Sequence, residues 1–322
     1  MNITTSLVAA RLREVRENGF MAASRRNGRC RSQRKTRANA GRHSGYNVFI
    51  DTKYVMQMIR CGLLLCWAGL AFGAAAPPRQ VVVLTDNGYP PYSYEVDGQA
   101  VGIYNAVLRE ASQHLIGYRI ELRPVPWKRG LAELEAGHAL ALSPPYNRPE
   151  REYMRYSTPF WQEQLVVYCR TEIVRTPRTR WPADFLGLRF GNNAGFRPGG
   201  KAFWQAVQRG EIQLDEAPDT QGNLLKLING RTDCYLNDKL SILYVLERLQ
   251  RRGTISAGQR GELVEAASLN GEQAYIGFSR RGQQRFPYQD DFIQQLNAVL
   301  ERMKREGRIA AIVEQTLRDA SP

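Results

Sequence analysis

From Val81 onward the chain alternates short apolar runs with helical patterns, and at Leu188 the alternation starts again. Such alternation restricts the fold to α/β units, because parallel strands must be joined by crossovers and helices make them. The first round reads as a strand at Val81–Leu84, a helix at Gly102–His114, a strand at Tyr118–Val125 and a helix at Trp127–Ala136 stopped by Gly137. Short strands follow at Ala139–Leu142 and Gln164–Tyr168. The second round places strands at Leu188–Gly191, Ile212–Glu216 and Cys234–Leu236, with helices at Gly200–Gln208, Gln221–Asn229 and Ile242–Gln250. A strand at Ala274–Phe278 then precedes a helix that carries Phe292, Leu296, Val299, Leu300 and Met303 on one face. Gly307 separates it from a last helix at Ile309–Leu317. Two such units in tandem, with a final piece able to return to the first, imply an α/β fold of two lobes around a cleft. Ligands in such folds sit beyond the carboxyl ends of the strands.

The segment ahead of this pattern has the signature of export. Met58-Ile59-Arg60 supplies a basic start, an apolar run begins at Cys61, and small residues lead to Ala76. Cleavage is expected between Gly73 and Ala76, and the apolar core is short for a permanent membrane span. Leu65 ahead of Cys66 argues against a lipid-modified cysteine. Residues 1–55 lack hydrophobic periodicity and are read as a basic, disordered extension, a start placed too early when Met56 or Met58 is the true one. Residues 56–76 are then the signal peptide. Residues 1–60 hold 13 Lys/Arg and 3 Asp/Glu, which is +10 of the formal +14, and the rest holds 32 and 28, or +4. The basic charge thus belongs mainly to the segment that export discards, and no nucleic-acid partner is expected. Cys169 and Cys234 are the cysteines left in the exported chain, as a bridge or as two buried thiols.

Catalytic signatures are weak. Gly195 to Ala202 has phosphate-loop spacing but lacks the final Ser/Thr that would hold magnesium. No G-x-S-x-G occurs, His114 and His138 have no nucleophile at motif spacing, and no cluster has metal-ligand spacing, so neither metal nor cofactor is expected. The aromatic residues Tyr89, Tyr92, Trp127, Tyr146 and Phe196 are different. They fall in loops or at helix starts just after strands, where a cleft would be, and Arg151, Arg197 and Asp238 share that placement. Val81 to Tyr92 concentrates the signal: a β-branched strand runs into Asp86, two tyrosines and two stiffening prolines.

In order along the chain, Thr85-Asp-Asn-Gly-Tyr-Pro-Pro-Tyr92, Val101-Gly102, Pro126-Trp127, Arg148-Pro-Glu-Arg151, Ser157-Thr-Pro-Phe160, Gly230-Arg-Thr-Asp233 and Glu306-Gly-Arg-Ile309 resemble the polar amino-acid-type (family 3) solute-binding proteins of ABC importers. The resemblance covers nearly all of residues 80–318. It implies a Venus-flytrap fold, with lobe I formed by 80–169 and 276–322, lobe II by 170–275, and hinge strands near Tyr168 and Tyr275. It also implies that Arg151 grips the ligand's α-carboxylate, that Asp238 takes its ammonium, and that Tyr89, Tyr92 and Trp127 enclose the side chain. A guanidinium fork suits a planar carboxylate.

Three departures accompany the resemblance. Ser143-Pro-Pro-Tyr146 stands where the family has Ser/Thr donors, and prolines have no N–H to give. Gly195-Phe196-Arg197 replaces a Thr-rich loop. Tyr104 and Ala106 replace an acidic pair expected after Gly102. An extra arginine and ring facing the cleft would suit a ligand that is larger, more anionic or aromatic. The expected function is a monomeric, non-catalytic periplasmic protein that captures an amino acid or related small carboxylate for a membrane permease. Two alternatives are a sensor that presents its closed form to a receptor, and a dehydratase on the same fold with Asp86 or Asp238 as acid.

Overall fold

The structure, a computed structural model, describes residues 77–319. The expected extension and signal peptide lie outside the described residues. Two five-stranded sheets organise the chain. In the first, β1 (Arg79–Asp86) lies between β5 (Tyr118–Val125) and β6 (Ala141–Ser143), all parallel, and β15 (Gly277–Ser279) and β7 (Met154–Tyr156) complete the far edge. In the second, β10 (Arg189–Asn193) is parallel to β11 (Gln213–Ala217) and β12 (Cys234–Asp238), and β9 (Leu165–Arg170) and β13 (Leu263–Ser268) complete it in antiparallel fashion.

The parallel core of each sheet obeys the crossover logic. In β1, Val81 and Val83 point into the larger apolar cluster while Leu84 joins a smaller one on the opposite face. Helices α1 (Ile103–Gln113) and α2 (Trp127–Glu135) lead from β1's end towards β5 and from β5 to β6, so a β-branched strand buried on both faces is what this position requires. The C-terminal helix α7 (Gln289–Arg305) buries Phe292, Leu296, Val299, Leu300 and Met303, the face its periodicity marks, and α8 (Arg308–Asp319) packs beside α1.

Two expected features differ. The strand expected at Ala274–Phe278 is two strands: β14 (Glu272–Ala274) pairs with β8 (Trp161–Glu163), whereas β15 belongs to the first sheet. The chain breaks ladder pairing between them because the Tyr275 N–H donates to Pro145 O (3.2 Å) and the Ile276 N–H to Ser157 Oγ (2.9 Å). The expected lobe boundary at 169 falls inside a strand of the second sheet. Tyr168 lies within the second sheet, opposite Tyr235 and Glu265, so that sheet takes the chain from Leu165. The β8–β14 ribbon is where the chain crosses between sheets, which places the hinge at Trp161–Glu163 and Glu272–Ala274.

In the second sheet, α3 (Gly200–Gln208), α4 (Thr220–Ile228) and α5 (Lys239–Arg251) follow β10, β11 and β12. Asp219 caps α4 by accepting the Gly222 N–H (2.7 Å), and Asp238 caps α5 by accepting the Ser241 N–H (3.0 Å). Cys169 and Cys234 are register partners on β9 and β12, with Cα atoms 4.0 Å apart, and are joined by a disulfide.

Candidate functional site

The loop after β1 is built onto the start of α1. Asp86 Oδ1 accepts the Gly88 N–H (2.9 Å), and its backbone oxygen accepts the Ser93 hydroxyl (2.7 Å). The first amides of α1 donate to the loop, Ile103 to Pro91 O (2.9 Å) and Tyr104 to Tyr92 O (2.8 Å). Helix-start donors with no intrahelical partner are thereby satisfied. Gly102 is the residue this approach needs: its φ is 107° and an added Cβ would lie 2.6 Å from Pro91 O. Clamped in this way, Tyr92 stacks on Tyr104 with centroids 4.7 Å apart.

The rings converge on one carboxylate. Glu163, at the end of hinge strand β8, is fully buried. Tyr104 donates to its Oε1 (2.5 Å), and Tyr146 (2.5 Å) and Tyr89 donate to its Oε2. Burial, then the nearby charge of Asp238, push the Glu163 carboxyl up to about 8 against the three tyrosine hydrogen bonds, so it holds a proton at neutral pH. Asp86 is likewise pushed up to about 7, chiefly by burial and secondarily by Asp219, against the Gly88 N–H.

Asp238 joins the halves. Its Oδ1 accepts the Tyr92 hydroxyl (2.9 Å) and its Oδ2 the Gln164 N–H (2.9 Å), in addition to capping α5. Other contacts also cross the cleft. Phe196 meets Tyr89 and Trp127 edge-on at 5.2 and 5.6 Å, Trp127 Nε1 donates to Gly195 O (3.3 Å), Ser241 Oγ donates to Pro90 O (2.7 Å), and Lys128 pairs with Glu216 (2.7 Å). The lobes are closed on each other through the loop after β1.

Arg151 has a different character. It is buried, its guanidinium lies 5.7 Å from the Trp127 ring centroid, and its hydrogen-bond partner is Tyr146 O at 3.4 Å. Burial lowers its pKa, and no carboxylate lies within ion-pair distance among the described residues. A buried guanidinium of this kind is costly to leave unpaired. Ser143 Oγ and Thr85 Oγ1, on register partners at the ends of β6 and β1, are also buried without a hydrogen-bond partner among the described residues.

The fold therefore brings together Tyr89, Tyr92, Trp127, Tyr146, Arg151, Gly195, Phe196 and Asp238. Asp86 lies beneath the loop and serves its geometry. Arg197 is not in this group: its guanidinium lies over the Trp204 ring, 4.3 Å from the centroid, and only its backbone oxygen meets the other lobe, at Arg148 Nε (3.1 Å). The extra cleft arginine is thus stacked elsewhere, because Trp204 on α3 offers a ring face within the same lobe. His138 lies beside a separate cavity of about 520 Å³ lined by Val82, Arg129, Glu133 and Tyr288. Glu163 was not legible in the sequence, where an acid between two glutamines reads as solvated. Tyr104 was visible only as a missing acid.

A family model described as bacterial extracellular solute-binding proteins, family 3, matches residues 81–318. The chain belongs to that family. No curated protein matches it closely enough to be informative. Among solved structures, an ancestral arginine-binding protein bound to arginine is 16% identical, with TM-score 0.58 over 73% of this chain and 97% of that one. A histidine kinase sensor domain with similarity to periplasmic binding proteins is 18% identical, with TM-score 0.58 over 74% and 96%. An amino acid ABC transporter substrate-binding protein of Streptococcus pneumoniae bound to L-arginine is 17% identical, with TM-score 0.57 over 76% and 96%. These proteins share the two-lobed α/β fold, and at such identity they speak for the fold alone. Among the described residues no helix is long and apolar enough to cross a membrane.

Proposed function

We propose that the protein is a periplasmic solute-binding protein that captures an amino acid, or a related small carboxylate, in the cleft between its lobes. The observation that carries this reading is Arg151, a buried guanidinium at the cleft without an acidic partner among the described residues. A ligand carboxylate would supply the missing charge, with Ser143 and Thr85 hydroxyls as further hydrogen-bond partners. Tyr89, Tyr92, Trp127, Tyr146 and Phe196 enclose the ligand's body, and Gly195 gives backbone close approach. Export through residues 56–76 and the Cys169–Cys234 bridge fit an oxidising compartment. The closed form would be read by a permease of an ABC importer or by a membrane receptor, and the protein would act as a monomer without cofactor. Residues 1–55 would be absent from the mature chain.

Thermal unfolding of the mature protein against a panel of amino acids and small organic acids tests the reading. A ligand at about 100 times its Kd adds about 2.7 kcal/mol of stability. Arg151→Ala is expected to abolish the shift from every carboxylate ligand. An undiminished shift in that variant would remove the carboxylate clamp from Arg151.

A second reading draws on Glu163, which holds a proton at neutral pH beside three tyrosine hydroxyls and could serve as a general acid. Turnover of prephenate or arogenate by the wild-type protein, lost in Glu163→Gln, would favour a dehydratase over a binding protein.

A further inference from the structure

The face of the first sheet opposite α1 is only partly covered. β1 and β5 have eight residues each, about 26 Å of strand, whereas α2, the helix that runs back over this face, has nine and spans about 13 Å. α2 packs chiefly on β1, β6 and β15, and Arg123 on β5 stays exposed beside it. A helix this short and this placed cannot close the face. Phe286 and Tyr288, from the segment between β15 and α7, line the gap from the other side.

The result is a cavity of about 520 Å³, a size that accepts a small molecule. Its floor is apolar: Val82 and Leu84 alternate onto this face of β1, and Leu140 leads into β6. The Phe286 and Tyr288 rings meet edge-on with centroids 6.2 Å apart. The charged residues lining the cavity are Arg123, Arg129, Glu133 and His138. Glu133 is the one acid among them, and its Oε2 lies 3.4 Å from His138 Nδ1. Arg123 pairs with Glu121 at 3.0 Å in an exposed contact, which holds it weakly. Arg129, exposed on α2, makes no hydrogen bond or ion pair among the described residues. Arg79 lies over the Tyr288 ring, 4.3 Å from its centroid, and Arg285 donates to the His138 backbone oxygen (3.4 Å), so further cations stand close by.

The geometry points to a second binding site on lobe I, separate from the cleft, that takes a small carboxylate carried on an apolar body. The body lies on Val82, Leu84 and Leu140 against the Phe286 and Tyr288 rings. The carboxylate meets the Arg129 guanidinium, whose planar fork matches it, and Arg123 adds to the positive field. A free amino acid suits this site poorly, because its ammonium would meet the same cations and Glu133 is already beside His138. The site lies on the sheet face beside α2, whereas the cleft residues gather beyond the strand ends. The two therefore do not compete for the same space, and the assignment is independent of what the cleft binds.

Ligand-observed NMR titration of the mature protein with phenylacetate, against phenylacetamide and acetate, tests the assignment. Phenylacetate is expected to bind with a Kd of about 1 mM or tighter, and about ten-fold more tightly than either control, since one lacks the charge and the other the body. Arg129→Gln, a change on an exposed side chain, should weaken phenylacetate about five- to ten-fold. Glu133→Gln, which removes the one acid in the lining, should tighten it. In Arg151→Ala, where the cleft has lost its guanidinium, the same binding event should persist. Binding that disappears in Arg151→Ala and ignores Arg129→Gln would place the probe in the cleft and overturn the second site. Phenylacetamide bound as tightly as phenylacetate, or no phenylacetate bound at about 10 mM, would overturn it too.

Discussion

Glu163 and Asp86 show what burial does to a carboxyl group without a cation. The folded protein keeps a proton on Glu163 up to about pH 8 and on Asp86 up to about pH 7, whereas the unfolded chain releases them near 4.5 and 3.8. Between those limits the folded state binds more protons, so stability falls as pH rises. The contribution is complete below the unfolded values and is lost through the folded ones. Unfolding free energy measured with urea is expected to decline from about pH 5 to about pH 8, approaching about 1.4 kcal/mol per unit for each group. Glu163→Gln should flatten the curve over that range, and an unchanged slope would show that Glu163 is ionised in the folded protein. Their surroundings explain why these residues differ from the surface acids of the same chain. Glu216, paired with Lys128, is held below the usual range by that hydrogen bond and by the Gly195 N–H against the cost of partial burial.

At the scale of elements, the disulfide and the loop clamp organise the cleft's two walls. The Cys169–Cys234 bridge ties β9, which arrives from the hinge, to β12, whose end carries Asp238. It closes a 65-residue separation and removes chain entropy from the unfolded state. Replacement of both cysteines by serine is expected to cost about 2–4 kcal/mol, read as a lower urea midpoint with the reduced wild type behaving alike. A midpoint unmoved by reduction would mean that the bridge does not form in solution. The central strands and helices were legible because their periods were intact. β1, α2 and α7 have the apolar spacing their burial requires, and Tyr118–Val125 and Gly200–Gln208 match the structure at both ends. The short strands β7, β8 and β14, three residues each, and the hairpin strands β3 (Ser93–Val96) and β4 (Gln99–Val101) were not legible. Pieces of that length have too few side chains for a period, and their partners are far away in the chain.

For the molecule as a whole, polar contacts and a ring cluster cross between the lobes, and the larger apolar cluster takes members from both sheets. The Tyr92–Asp238 hydrogen bond is buried and spans the lobes, whereas Lys128–Glu216 is exposed on both sides and worth about 0–1 kcal/mol. Tyr92→Phe is expected to cost about 1–2 kcal/mol, since Asp238 keeps the Gln164 and Ser241 amides. The closed form bears that loss, so small-angle scattering should report a larger radius of gyration for the unliganded variant than for wild type. Equal radii would place the control of closure at the hinge ribbon instead.

Local physics was sufficient for the class of protein: two rounds of strand and helix, an aromatic loop after the first strand, and an ordered set of short motifs that together point to an α/β pair of lobes. These features are written in period, turn chemistry and order, which a single sequence carries. The balance of charge in the cleft was decided only in three dimensions. Arg197 was visible as a cation near the cleft but stacks on Trp204, and Glu163 was hidden as an ordinary acid but lies under three tyrosines. Whether a charged side chain turns to solvent, to a ring or into a site depends on neighbours brought from distant segments. Here those neighbours, Tyr89, Tyr104 and Tyr146, come from three separate stretches of the chain.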